Sequence, residues 1–186
     1  MMEKQYQYYT CLDNKTYLKQ IWDLLRKYNN EFIPPLSVRK HTDQAVLKEL
    51  EVNESEPKAY YEELKKQAFI LCIGEEDKVL GFMSLKENYK IKELQALIGN
   101  KRNSYVSTVI VDQESRGEGI AAGMYEYLEN SLPEERTPDV ISTRTWSTND
   151  SHIKILKRRG FSEALRIHND RGSGIDTVYY YKILKP

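Results

Sequence analysis

Apolar positions in this chain follow two periods, and the switches between them mark out the elements. Tyrosine-rich residues 5–9 read as a first strand. Leu18, Ile21, Trp22 and Leu25 recur at i, i+3, i+4 and i+7, which predicts a helix from a cap at Asn14 through Tyr28. The segment 32–37, with Pro34 and Pro35, must break that helix and run extended. Thr42 or Asp43 is then placed to cap a second helix carrying Val46, Leu47 and Leu50, and helical spacing resumes over 58–66. Residues 68–74 and 79–86 predict a strand hairpin, and 88–104 a lysine-rich loop with a short helix over 91–98. A strong strand at 105–111 leads to a helix at 119–130, with Ile120, Met124 and Leu128 on one face. A strand at 140–146, a helix at 149–159 ending at Gly160, and a strand pair at 161–167 and 177–184 complete the chain.

This order predicts a mixed α/β fold with a mostly antiparallel central sheet flanked by helices. The strand–helix–strand segment 105–146 is one crossover unit, so strands 105–111 and 140–146 should pair in parallel. No internal repeat or linker divides residues 1–186, which read as one domain. An apolar share of 40% can supply its core. Lysine plus arginine equals aspartate plus glutamate at 28 each, so no field of one sign points to a nucleic-acid partner. No run approaches the roughly 18 apolar residues of a membrane span, and no signal segment is visible, which predicts a cytoplasmic protein without a membrane partner. Cys11 and Cys72 lack metal-ligand spacing, and no metal site is expected.

The chemistry concentrates after strand 105–111, where Arg116-Gly117-Glu118-Gly119-Ile120-Ala121 opens a helix. The first turn of a helix offers free N–H groups and partial positive charge, and glycine lets a phosphate approach the backbone. Gly117-x-Gly119-x-x-Ala122 also matches a dinucleotide fingerprint, but residues 112–116 separate it from its strand and the next strand ends in Thr145-Trp146 rather than an acid. A P-loop would need Gly-Lys-Ser/Thr, which the turn lacks.

Arg116-x-x-Gly119-x-Ala121 after a valine-rich strand, followed by Asn149 and, eleven residues on, Gly160-Phe161, resembles the landmarks of the GNAT superfamily of N-acetyltransferases. The likeness is strongest over 105–161. It implies a GNAT-like fold whose parallel strands 105–111 and 140–146 split into a V opened by a bulge, with acetyl-CoA in the split. It further implies that backbone groups of Val109 and Val111 pair with the pantetheine arm. Amides of Arg116, Gly117, Glu118, Gly119, Ile120 and Ala121 would hold the pyrophosphate. Asn149 would touch the pantetheine arm or steady its helix. Members of the family are often homodimers.

The resemblance implies direct acetyl transfer to a primary amine, with a small-molecule acceptor as the expected partner. Deprotonating a lysine-like amine at pH 7 costs about 4–5 kcal/mol unless a base or desolvation helps. Many members place a tyrosine seven residues after the asparagine to serve the thiolate, and here that position is Leu156. The proton would come from solvent, Tyr125, Ser151 or a tyrosine among 179–181. Candidate bases are His168, the best pKa match, with Glu87 and Asp176. The acceptor side should be built from 32–37, 88–104 and 168–176, and Arg166 and Arg171 could clamp an acidic group there. Two other readings compete: an acyl-CoA sensor without turnover, and a protein-modifying acetyltransferase.

Overall fold

The computed structural model describes residues 4–47, 50 and 55–185. Its centre is a seven-stranded sheet in the order β1-β2-β3-β4-β5-β7-β6. The strands are β1 (Gln5–Tyr9), β2 (Ala68–Ile73), β3 (Val79–Lys86), β4 (Asn103–Val111), β5 (Val140–Trp146), β6 (Ser162–Ile167) and β7 (Thr177–Ile183). Only β4 and β5 pair in parallel; every other neighbour is antiparallel. The helices are α1 (Lys15–Lys27), α2 (Lys58–Leu64), α3 (Gln95–Ile98), α4 (Ile120–Asn130) and α5 (Asp150–Arg158). No helix is long and apolar enough to cross a membrane among the described residues.

β2 is apolar at consecutive positions because alternate side chains serve opposite faces. Ile70 and Cys72 join Met124, Tyr125, Leu128 and Leu156 under α4 and α5. Phe69 and Leu71 join Ile21, Leu25, Tyr60 and Leu64 under α1 and α2. The Asn14 side chain caps α1, accepting from Thr16 N at 2.9 Å and Tyr17 N at 3.1 Å. The buried face of α1 is Tyr17, Ile21, Leu24 and Leu25, turned from the expected one. Trp22 stacks instead on Tyr61, centroids 5.1 Å apart, where α2 passes.

The second helix expected from Thr42 or Asp43 does not form over 42–47. Both capping side chains are spent elsewhere: the Thr42 hydroxyl accepts from Gln67 at 2.8 Å, and Asp43 pairs with Lys86 at 2.9 Å. Val46 is exposed and Leu47 buried, so no apolar stripe develops. Leu50 lies outside any helix, and the rest of that predicted segment falls outside the described residues. The final hairpin also sits differently from its chain order. β7 inserts beside β5 and pairs along its whole length, leaving β6 at the edge.

The feature that shapes the sheet is in β4. Ser84 faces Thr108, but its neighbour Leu85 faces Val106, so Ser107 is an extra residue on β4. Its hydroxyl is held by Ser84 Oγ at 2.7 Å and Gln67 Oε1 at 2.6 Å. Beyond this bulge the parallel ladder ends: Asn103–Val106 pairs with Val140–Thr143, and nothing in β5 pairs with 107–111.

α4, α5 and β7 are tied together at the far end. Glu129, its side chain 6% exposed, accepts from Arg159 at 2.9 and 3.0 Å and from Lys182 at 2.8 Å. Burial opposes its charge, but the two cations outweigh burial and hold the carboxyl below its usual pKa. Its contribution to stability is therefore present above the unfolded-state pKa and is lost as pH falls through the lowered one. Glu129→Ala should destabilise the fold by about 2–3 kcal/mol at pH 7, by leaving Lys182 without a carboxylate and Arg159 with only the more distant Glu126 at 3.7 Å. Urea unfolding at pH 7 and pH 4 checks this, and the gap between the two proteins should narrow at the lower pH.

Candidate functional site

Past the bulge, β4 and β5 diverge around a cleft of about 600 Å³. Val106, Thr108, Val109 and Val111 line one side, and Thr143, Thr145 and Trp146 the other. The Thr143 hydroxyl donates to Val106 O at 2.9 Å and closes the apex of the V. Without a neighbouring strand, the β5-facing edge of β4 at 107–111 is open to an extended ligand. The Val111 carbonyl already accepts from Arg116 Nε at 3.1 Å.

The mouth of the cleft is the start of α4. Gly117 (φ +82°) and Gly119 (φ +78°) are both left-handed, and a Cβ at either would meet nothing within 4 Å. Backbone conformation, not crowding, therefore calls for glycine there. No side chain caps α4, so its first amides face the cleft without an internal acceptor. Gly117, Gly119, Ile120 and Ala121 all line the cleft. The Glu118 side chain is drawn away to Lys4 at 2.5 Å, which leaves only its backbone for a ligand. Arg116 pairs with Glu31 at 2.8 Å and lies 4.6 Å above the Tyr28 ring, so its side chain braces the turn against α1.

α5 forms the other wall. Asn149 Oδ1 caps it, accepting from His152 N at 3.4 Å, while Nδ2 donates to Thr145 Oγ1 at 3.0 Å. Steadying the helix start is thus what Asn149 does in this structure. Leu156 is wholly buried in the core and does not reach the cleft. Tyr125 is also fully buried and outside the lining, but its hydroxyl meets His152 Nε2 at 2.8 Å. Burial raises the Tyr125 pKa and lowers that of His152 to about 4, so both are neutral at pH 7. His152 does line the cleft. The sequence reading missed it, although its place three residues after Asn149 puts both on one helix face.

Other expected groups are not brought to the cleft. His168 is 76% exposed, lies 3.4 Å from Asp176, and follows edge strand β6, two strands away from the split. Arg166 is taken by Glu163 and Asp176, each at 3.0 Å. Glu87 follows β3 at the opposite, closed end, where Tyr8 donates to it at 2.5 Å and Arg136 at 3.2 Å. Asp176 caps the final hairpin, accepting from Asn169 N at 3.0 Å. Ser151 is exposed at the cleft's edge, and Tyr179 and Tyr180 are buried in the sheet. Loops 32–37 and 168–176 do meet over the end of β5: Arg171 Nη1 donates to Ile33 O at 2.6 Å, and Phe32 packs on Trp146 with centroids 5.7 Å apart.

Comparison with known proteins follows this geometry. The chain is similar in fold to Arabidopsis thaliana NAA60 solved in complex with acetyl-CoA, with a TM-score of 0.66 and 16% identity over 96% of this chain and 98% of that one. An N-acetyltransferase from Staphylococcus aureus Mu50 superposes with a TM-score of 0.63 and 17% identity, covering 98% of this chain and 99% of that one. The ribosomal-protein-S18-alanine N-acetyltransferase from Escherichia coli gives 0.62 and 13%, covering 98% and 96%. No curated protein sequence matches the chain. The pattern of the acetyltransferase (GNAT) family, whose members use acetyl-CoA as cosubstrate, matches residues 19–161. With a match over more than half its length and a sheet split at the expected strands, the chain belongs to the GNAT acetyltransferase family.

Proposed function

We propose that the protein transfers the acetyl group of acetyl-CoA directly to a primary amine on a small molecule, acting as a cytoplasmic enzyme. The observation that carries this reading is the continuity of one cleft: an unpaired β4 edge runs into an uncapped helix start with two left-handed glycines. An extended arm ending in phosphates matches that sequence of unfilled backbone groups. The small-molecule acceptor is supported by the loops 32–37 and 168–176, which join across the end of β5 and cover it.

When bound, acetyl-CoA supplies the acetyl group as a thioester. The amine nitrogen attacks the carbonyl carbon, the C–S bond breaks as the C–N bond forms, and the ammonium proton must leave. Among the described residues lining the cleft, Glu31 is the one carboxylate, and Arg116 occupies it. Desolvation in the cleft favours entry of the amine in its neutral form, and the proton released on forming the C–N bond passes to water at the open side of the cleft. On the leaving side, the Tyr125 hydroxyl holds His152 Nε2, so the other ring nitrogen would carry an N–H that can hydrogen-bond the departing thiolate, which takes its proton from water. This fills the role left open by Leu156.

Gly119→Trp should lower acetyl-CoA affinity by at least about tenfold, or about 1.4 kcal/mol, in a calorimetric titration, with circular dichroism confirming the fold. Micromolar binding by the parent chain, and CoA release with amines in the presence of a thiol reagent, are the results expected. Absence of binding across several acyl lengths would count against the whole reading. Binding without release to any amine or peptide would instead favour a sensor.

His152 provides a second check. Its folded pKa of about 4 lies below the unfolded value near 6.5, so the unfolded chain takes up the proton first. Its contribution to stability is complete above pH 6.5 and disappears as pH falls towards 4. Denaturant midpoints should thus fall less between pH 7 and pH 4.5 in His152→Gln than in the parent chain, and kcat should drop with acetyl-CoA affinity kept. Parallel stability curves would refute the buried neutral imidazole.

A further inference from the structure

Three arginines converge where the acceptor loops cover β5. Arg39 lies over the Phe32 ring at 5.7 Å, Phe32 packs on Trp146, and Arg171 lies over Trp146 at 5.7 Å. Arg144 stands two residues before Trp146 on the same strand, hence on the same face of the sheet. Arg144, Phe32 and Trp146 all line the cleft. Arg39 and Arg171 are 5% and 6% exposed, an unusual degree of burial for this side chain.

The partners of these guanidiniums are neutral. Arg39 donates through Nε and Nη2 to Pro34 O at 3.0 and 2.6 Å, and Arg171 through Nη1 to the adjacent carbonyl of Ile33. Arg171 Nε donates to Thr177 Oγ1 at 2.9 Å. Arg144 donates to Gln44 O at 2.6 Å and to the Tyr179 hydroxyl at 3.3 Å. Among the described residues, no carboxylate lies within ion-pair distance of any of the three. Asp170 reaches Arg171 only through the Thr177 hydroxyl, which donates to it at 2.6 Å, and its charge partly offsets the lowering at Arg171.

Three nitrogens are left over. Arg39 Nη1, Arg144 Nε and Arg171 Nη2 have no hydrogen-bond partner among the described residues. No fully buried side-chain nitrogen or oxygen among them lacks a partner, so each keeps some exposure; of the three residues Arg144 lines the cleft, with Arg39 and Arg171 behind the Phe32 and Trp146 rings. Burial, and then the neighbouring guanidiniums, pull the Arg171 pKa down to about 9. Burial pulls Arg39 to about 10, with Arg144 adding to the effect. At Arg144 burial opposes the charge too, and what offsets it is tyrosine, uncharged at neutral pH. Gathering three partly desolvated cations with one carboxylate, Asp170, behind a hydroxyl is costly unless something else supplies further negative charge.

We infer that Arg144, with the charges of Arg39 and Arg171 behind it, forms an anion site in the cleft wall, and that the acceptor is a small amine which also carries a carboxylate or phosphate-type group. This rests on reading the cleft as an acetyl-transfer site. The anion would sit against Arg144, Phe32 and Trp146 in the field of the other two guanidiniums, with the amine directed along β5 towards the split. Planar guanidiniums suit both oxyanions, so the geometry leaves the choice between them to experiment. Arg166, free in appearance from the sequence, takes no part.

The test is calorimetric binding to the full chain saturated with CoA, using δ-aminovalerate, aminobutylphosphonate and n-pentylamine as probes. At least one anionic probe should bind about tenfold or more tighter than the alkylamine, and the tighter of the two names the oxyanion. Arg144→Gln should abolish that preference, Arg144→Lys should keep part of it, and the melting temperature should show each variant folded. Equal binding of all three probes, no binding by either anion, or an unchanged preference in Arg144→Gln would overturn the inference. Acetyl-CoA affinity is read separately on the same protein, and the anion titrations are repeated without CoA. A failure of the cofactor reading is thus distinguished from a failure of the pocket.

Discussion

The hydrogen-bond ladder between β4 and β5 ends at Val106 and Thr143, and the geometry of the site follows from that ending. Ser107 adds one residue to β4 against β3, which bends the strand and reverses the faces of everything after it. Tyr105 and Thr108 consequently share the α2 side, where Thr108 meets Tyr60 at 2.7 Å, while Val109 and Val111 turn towards α4. A regular β4 would have continued pairing with β5 and left no cleft. Gln67 and Ser84 hold the Ser107 hydroxyl in place, so the irregular residue is satisfied rather than orphaned.

The two walls of the split carry different chemistry because they belong to different layers. On the α4 and α5 side, backbone amides and His152, held by the buried Tyr125, face the opening. On the α1 and α2 side, Phe32, Trp146 and the Arg144 guanidinium do. A thioester entering along β4 and an amine arriving over β5 would meet near the apex closed by Thr143. The Glu129 cluster keeps α4 and α5 in register with β7 at the far end, where no ligand needs to enter.

Much of this architecture could be read from periodicity. The glycine turn into α4 and the Asn149 cap are local signals, written within a few residues and fixed by backbone needs that only certain residues meet. Segment 42–47 misled because Thr42 and Asp43 are good caps by type, yet Gln67, Lys86 and Tyr89, distant in sequence, claim their side chains. His168 suited a base by residue type but follows an edge strand, and strand order is a tertiary outcome that residue spacing does not encode. Nothing in the local pattern singled out Arg39 as part of the site. Only the docking of loop 32–37 onto β5 buries it and aims Arg144 into the cleft. The one local hint was Arg144 itself, the single charge in strand Val140–Trp146.

The claim on which the rest stands is that an extended, phosphate-bearing cosubstrate fills the open edge of β4 and the first turn of α4. Amide hydrogen exchange resolved by peptide, with and without acetyl-CoA, addresses it directly. The account predicts slowed exchange over residues 107–111 and 117–122, with little change in β1, β2 or β6. Unchanged exchange in both segments at saturating acetyl-CoA, or protection confined to another part of the sheet, would contradict it.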